Sequence, residues 1–478
     1  MPPVIIASPR YRADRRHLLS TLHEFTTWEP LLHILRSAHT ATPGALGGHV
    51  AGRIGTHAYS MPMPRGTMFT MHGQASGAAA RRPEFDAVQR VQGALVETDA
   101  DGASFVARMS PDGPAVLHLL DFGPAVEPEV SGPLPGALIL VEGAVPEPWR
   151  RLPDPVPDAK PSPAADPAAL ESFLRERLPD AIGATEEEIA TAEARLGIPL
   201  PDELKALYRV TRARWDDPAD DEAMWHLMET VTCELLPLDE LYVADAPSRH
   251  SPWRFAAMET VGTPPGAAVQ GLVGSPGWIV FGDSDGDRLA VDLTPGPAGH
   301  TGQIIVLSHE ESVGAGLVAG SLTELMLRLP VQRRAAPRTE EPPAAARVNI
   351  RGLKSVEAAA HPALEVLSIG VWEGEPLSLE PVVDLPRLRT LSAYPGTLAD
   401  PLEISRLTGL EFLALCPQDW RVLLDADMVP RSLLAAGIEV RNDVDPLPVV
   451  DLANEILARW DRPLITRTTL EGGLGPVP

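Results

Sequence analysis

Between Gly277 and Glu310 apolar residues recur every second position, and turn residues interrupt them. Ile279 to Phe281 is a short apolar run closed by Gly282, while Leu289, Val291 and Leu293 alternate with Ala290, Asp292 and Thr294. Alternation of this kind sets one face of a strand in a core. Ile304 to Leu307 forms a third run, and Gly286, between Asp285 and Asp287, can take positive φ. Pro295, Gly296, Pro297 and Gly299 stop any continuation. The pattern predicts a three-stranded antiparallel meander.

Upstream the period lengthens to that of helices. One is expected around Ala169 to Leu178, and Thr185-Glu186-Glu187-Glu188-Ile189 opens another with a capping box. Thr185 would accept from the Glu188 amide while Glu188 reaches back to the Thr185 N–H. That exchange is worth about 1 kcal/mol, and three glutamates sit at the positive end of the helix dipole. Ile189, Ala192 and Leu196 form the apolar face, Gly197 ends the helix, and Pro201 starts the next, with Leu204, Leu207 and Tyr208 inward. Nearer the N-terminus, Phe85, Val88 and Val91 share a helical face, followed by strand-like runs at 104–109, 115–120 and 137–141. These predict a small α+β domain over 83–145.

Past Pro330 a repeat appears. Leu364-x-x-Leu367-x-Ile369, Leu388-x-x-Leu391-x-Ala393 and Leu410-x-x-Leu413-x-Leu415 recur at 24 and 22 residues, with weaker copies at Ala345-Val348-Ile350 and Ala435-Ile438-Val440. The period and the leucines resemble a degenerate leucine-rich-repeat array, in which each copy adds one short parallel strand and stacking buries the leucines. Val450, Leu452, Ile456 and Leu457 predict a closing helix before a frayed tail at 466–478.

Proline marks the boundaries. Eight prolines between Pro146 and Pro167 favour polyproline geometry and predict a semi-rigid linker over 146–165, with a second linker over 331–344. The expected order is a largely disordered or doubtful extension (1–82), the α+β domain, a middle domain (166–330) and the repeats (345–465). Residues 1–67 hold seven arginines against three acids and lack a period from Thr40 onward. Leu18, Leu19 and Leu22, then Leu31, Leu32, Ile34 and Leu35, predict two short helices there.

Charge sharpens the picture. The chain of 478 residues carries a formal −25, and the segment from Ala165 to Pro330 alone has 11 Lys and Arg against 28 Asp and Glu, a net −17. A basic stripe for phosphate is missing, so direct nucleic-acid binding is not expected and a basic protein partner is. No run of eighteen apolar residues is present, so no membrane association is expected. Two cysteines far apart, Cys233 and Cys416, form neither a disulfide framework nor a zinc site, which fits a cytoplasmic protein.

Two patterns in the meander approach catalytic and metal signatures. Gly282-Asp283-Ser284-Asp285-Gly286 has the Gly-x-Ser-x-Gly spacing, yet a strand rather than a helix follows, and flanking carboxylates would oppose an acyl-transfer transition state. Asp283, Asp285 and Asp287 begin like a calcium loop, but Arg288 stands where glycine is needed and Thr294 where a bidentate Glu belongs. No enzyme activity, cofactor or metal is expected.

Several motifs together resemble the SUKH superfamily: Thr-Glu-Glu-Glu-Ile at 185–189, Leu-Gly-Ile-Pro-Leu-Pro-Asp-Glu-Leu at 196–204, Leu-Leu-Pro-Leu-Asp-Glu-Leu at 235–241, Gly-Trp-Ile-Val-Phe-Gly-Asp at 277–283 and Gly-Gln-Ile-Ile-Val-Leu at 302–307. The resemblance implies an α+β fold with helices packed on a curved antiparallel sheet. It also implies a non-enzymatic role: bacterial members are mostly immunity proteins against polymorphic toxins, and fungal members regulate cell-wall glucan synthesis. Leu-Ala-Val-Asp-Leu-Thr-Pro-Gly-Pro at 289–297 matches as well, the matching residues include Trp278, Gly282, Asp283 and Asp292, and Thr185, Glu188, Trp278, Gly282 and Asp292 are expected to be structural. The chain departs from the family after Tyr208, where Arg209 to Arg214 replaces a glycine-containing turn and the acidic run Asp216 to Glu222 follows. The expected function is toxin neutralisation by direct binding in a bacterial cytoplasm, through Asp216, Asp217, Asp220, Asp221 and Glu222 with Asp283, Asp285 and Asp287, against a basic toxin such as a nuclease. The alternative is a scaffold or regulatory adaptor that recruits its partner through the repeat surface.

Overall fold

The computed structural model describes residues 21–40, 48–62, 82–110, 112–129, 132–214, 217, 221–327, 343–440 and 444–476. Contacts divide the chain into two compact units, one of residues 1–144, 347–360 and 367–478, the other of 145–346 and 361–366.

The first unit opens with α1 (Phe25–Thr40), β1 (Val50–Gly55), β2 (Tyr59–Ser60), α2 (Arg82–Glu97), β3 (Gly102–Met109) and β4 (Pro114–Asp121). β1 runs antiparallel to β3, and β3 to β4. Trp28, Leu31, Leu32 and Leu35 of α1 pack with Val88, Val91 and Leu95 of α2 over Phe105 and Leu117. The strands β1 and β2 correct the expectation of disorder over the described residues 48–62, α1 contains the second of the two expected helices, and Leu18 and Leu19 of the first lie outside the described residues. β1 escapes a periodicity reading because one of its three inward positions is Gly52, where a Cβ would lie 2.6 Å from the Met61 Cβ. A chain begun at Met61 would lack β1 and the Trp28 ring, which sits 5.4 Å from Phe105. Residues 1–20, 41–47 and 63–81 of the expected extension lie outside the described residues. Next come β5 (Val126–Pro128) and β6 (Pro135–Ile139).

The second unit begins with α3 (Glu147–Arg150), and the proline-rich stretch after it is bound in place rather than spanning as a linker. Lys160 accepts from Thr301 N at 3.1 Å, and the Gln270 side chain exchanges two 2.8 Å bonds with the backbone of Asp154. Prolines supply few internal hydrogen bonds, so the remaining polar backbone groups of such a stretch take partners from its neighbour. Residues 331–342 of the expected second linker (331–344) lie outside the described residues.

Then follow α4 (Pro167–Arg177), α5 (Glu186–Leu196), α6 (Asp202–Val210), α7 (Asp221–Val231), β7 (Glu234–Leu235), β8 (Tyr242–Val243), α8 (Trp253–Ala256), β9 (Trp278–Ser284), β10 (Asp287–Asp292), β11 (Gln303–Leu307), β12 (Gly316–Ala319) and α9 (Leu322–Met326). The strands are ordered β12-β11-β10-β9-β7, with β8 also on β9, and their pairings are antiparallel. Two strands therefore extend the predicted meander at one edge and one at the other. Ile279, Phe281, Leu289, Val291 and Ile304 pack under the helices with Leu204, Leu207 and Tyr208. The opposite face is buried as well, Trp278, Val280, Ala290, Ile305 and Leu307 lying with Ala244 and Leu272. The sequence pattern assigned one face of β10 to the core; the long connection through 244–272 covers the other, so Ala290 and Asp292 are also buried.

The chain returns to the first unit as β13 (Ala345–Val348), β14 (Val366–Ile369), β15 (Thr390–Ala393), β16 (Phe412–Leu415), α10 (Pro417–Asp425), β17 (Ala435–Ile438), α11 (Pro446–Ala458) and β18 (Thr466–Gly473). Strands fall on the repeat positions, and β15, β16 and β17 pair in parallel. The array does not close on itself: β6 adds antiparallel to β17, with Ala435 opposite Ile139, and β5 follows. The expected frayed tail is instead β18, paired with β4 from Thr466↔Asp121 to Gly473↔Pro114. Buried Arg36 fixes its end by donating to Leu474 O at 2.9 Å and Gly475 O at 2.7 Å. Glycines and threonines gave that strand no apolar alternation to read.

Candidate protein-binding site

The residues singled out in the middle domain divide into a structural set and a surface set. Thr185 and Glu188 form the capping box, with Glu188 N donating to Thr185 Oγ1 at 3.2 Å and Thr185 N to Glu188 Oε2 at 2.8 Å. Trp278 is 0 % exposed, and its Nε1 donates to Asp292 Oδ1 at 3.0 Å. Asp292 also accepts from Thr294 N at 2.8 Å, Thr294 Oγ1 at 3.2 Å and Gln303 Nε2 at 2.8 Å. Burial pushes its carboxyl above the usual range, against the pull of these donors. Gly282 faces Leu235 on β7 and Leu289 on β10, and a Cβ there would lie 2.6 Å from Cys233 Sγ. Trp278, Gly282 and Asp292 are buried within the sheet, whereas Thr185 and Glu188 cap α5 at the surface.

Asp217 binds Arg212 through two oxygens, at 2.8 and 2.7 Å. Asp283 holds the β9–β10 turn by accepting from Gly286 N at 3.0 Å and pairs with Arg288. Asp287 accepts from His309 N at 2.9 Å and lies 2.7 Å from His309 Nδ1. Asp285 and Gly286 both have positive φ, 54° and 90°, which makes the two-residue connection of the primed type that matches strand twist. Asp216 and Asp220 lie outside the described residues. Among the described residues no cation stands at ion-pair distance from Asp221, Glu222 or Asp285.

Sequence reasoning passed over the residue between these groups. Trp225, on α7, is 69 % exposed. It lines one groove of about 670 Å³ with Asp217, Glu222 and Arg177, and a second of about 580 Å³ with Met228, Glu229, Glu234, Asp283 and Asp285. A signal was available: Asp221, Glu222, Trp225, Met228 and Glu229 follow the three-and-four spacing that stacks side chains on one helix face. α7 buries chiefly Thr230 and Val231 at its end, so that face stays open. Thr232, at φ 63°, then turns the chain into β7, which brings Glu234 opposite Asp283. An acidic rim around an exposed indole and a thioether can receive a cationic, partly apolar surface.

Among the described residues no group of three or more His, Cys, Asp and Glu is placed to hold a metal ion, and no helix is long and apolar enough to cross a membrane. A stretch of 67 residues is 43% identical to a glucan synthesis regulatory protein of Neurospora crassa, covering 14% of this chain and 13% of that protein. The chain thus matches a small share of that relative's length. Residues 183–328, from the approach to the capping box through the sheet to α9, match the model of the SMI1 / KNR4 family (SUKH-1).

Proposed function

We propose that this chain is a non-catalytic protein-binding protein, and that the α7 face and the β9–β10 turn receive a basic protein partner. The observation that carries the reading is Trp225, an indole held 69 % exposed within an acidic rim. Tryptophan is a frequent anchor of interfaces, and rim carboxylates speed encounter with a positive surface. The family match supports a regulatory or immunity-type role, and the finer reading is an immunity protein that neutralises a basic toxin by occupying its phosphate-binding surface. The test begins with a partner recovered from the native host on the full chain. Its association rate should fall steeply as salt rises while dissociation changes less. Trp225→Ala should weaken binding at least about tenfold, near 1.4 kcal/mol, without lowering the melting temperature. A partner that is acidic, or that binds Trp225→Ala as well as wild type, sinks the proposal.

A second reading, that of a regulatory adaptor, is favoured by the name of the fungal relative. It predicts that a basic toxin adjacent in the genome is absent and that the partner also requires the β14–β17 region.

A further inference from the structure

The row of residues crossing β7, β9 and β10 at the smaller groove is unbalanced in charge. Glu234 lies directly opposite Asp283, and Asp283 directly opposite Arg288. Like charges in register across antiparallel strands are destabilising. Arg288 compensates Asp283, with which it pairs. Among the described residues no cation does the same for Glu234, or for Glu229 and Asp285, which line the same groove. The Cys233 thiol on the groove wall registers this field: its pKa is pushed up to about 12 by burial first, then by Asp283 and Glu234. Trp225 and Met228 supply the apolar side of the groove.

We propose that this groove is the receptor for one arginine side chain of a basic protein partner, with the guanidinium beside Glu234 and against the Trp225 indole. The inference rests on the reading that this face meets a basic protein, and it names the contact. Arginine fits better than lysine because its planar fork can bond a carboxylate through two N–H groups while its face stacks on an aromatic ring. An incoming cation beside Glu234 would relieve the repulsion across β7 and β9, so the strain stored in the free protein favours the complex.

The test uses the full chain labelled with 5-fluorotryptophan, the Trp225 resonance being assigned with Trp225→Phe. Three short blocked peptides serve as probes, identical except for a central arginine, lysine or citrulline. The arginine peptide should shift the Trp225 resonance saturably and leave that of buried Trp278 in place, the lysine peptide should bind more weakly, and citrulline should not saturate. Glu234→Gln should weaken the arginine peptide about tenfold. Arg288→Ala should tighten it, since Asp283 then becomes available to the same cation. Equal shifts with citrulline, unchanged affinity in Glu234→Gln, or weaker binding in Arg288→Ala would overturn the assignment. Failure here can be told from failure of the broader reading. If the peptide does not bind but Trp225→Ala still loses the host partner, the arginine contact is wrong and the interface stands. If the peptide behaves as expected while the partner ignores Trp225→Ala, the reverse holds.

Discussion

Trp278 and Asp292 show how far a residue's role depends on its surroundings. By position Trp278 begins an apolar strand, and in place it is a buried ring whose one polar atom is answered by a buried carboxylate. Trp278→Ala should cost about 3 to 5 kcal/mol, and Trp278→Phe, which keeps most of the packing but removes one donor, about 1 to 3 kcal/mol. Chemical denaturation checks both, and a variant of normal stability that loses its partner would move Trp278 into the interface. Asp217 behaves differently. Hydrogen bonds from Arg212 hold its carboxyl below the ordinary 3.8, so as pH falls the unfolded chain takes up the proton first. The pair's stabilisation is present above 3.8 and is lost as pH drops through the depressed folded value. The stability gap between wild type and Asp217→Asn should therefore be widest at neutral pH and close in acid. A gap independent of pH would show that the residue acts through packing and not charge. The capping residues Thr185 and Glu188 were legible in the sequence because a cap is a local exchange, whereas the alternation in β10 did not give the burial of Asp292, which comes with the connection through 244–272.

Among the elements, the β7–β9 pairing has a tight tolerance. Gly282→Ala places a methyl 2.6 Å from Cys233 Sγ and 3.2 Å from Glu234 O, which should cost about 1 to 3 kcal/mol. Adding Cys233→Ala should recover part of that loss, because the thiol is the nearer obstacle and the backbone oxygen stays. Simple additivity in the double variant would mean the two residues do not share the strain. In the other unit, truncation after Leu464 removes β18 and leaves β4 as an edge and the Arg36 guanidinium without its carbonyl partners. Amides of Pro114–Asp121 should then exchange faster and the first unit should melt earlier; unchanged protection there would show that β18 adds no stability. The α5 and α6 helices and the meander could be read from period and caps. β18 could not, because it takes its place from β4, its partner across the sheet; α7 offered only the three-and-four spacing of a face that stays open to solvent.

Across the whole molecule, the proline-rich stretch alters what an independent fragment must contain. Residues 145–165 are hydrogen-bonded to the sheet unit through Asp154 and Lys160, so a fragment starting at Val145 should melt higher than one starting at Asp166. Equal melting would return the stretch to the role of a linker. The sequence by itself determined the helix caps, the strand period of the meander, the acidic balance and the family resemblance, since each is written in neighbouring residues or in summed composition. Tertiary structure decided which carboxylates are spent on Arg212, Arg288 and His309 and which remain open around Trp225, because pairing depends on strand register and helix facing. It likewise decided that the chain's last strand joins its first sheet and that a second face of β10 is buried. Those outcomes hinge on contacts between residues far apart in the chain, which no local pattern encodes.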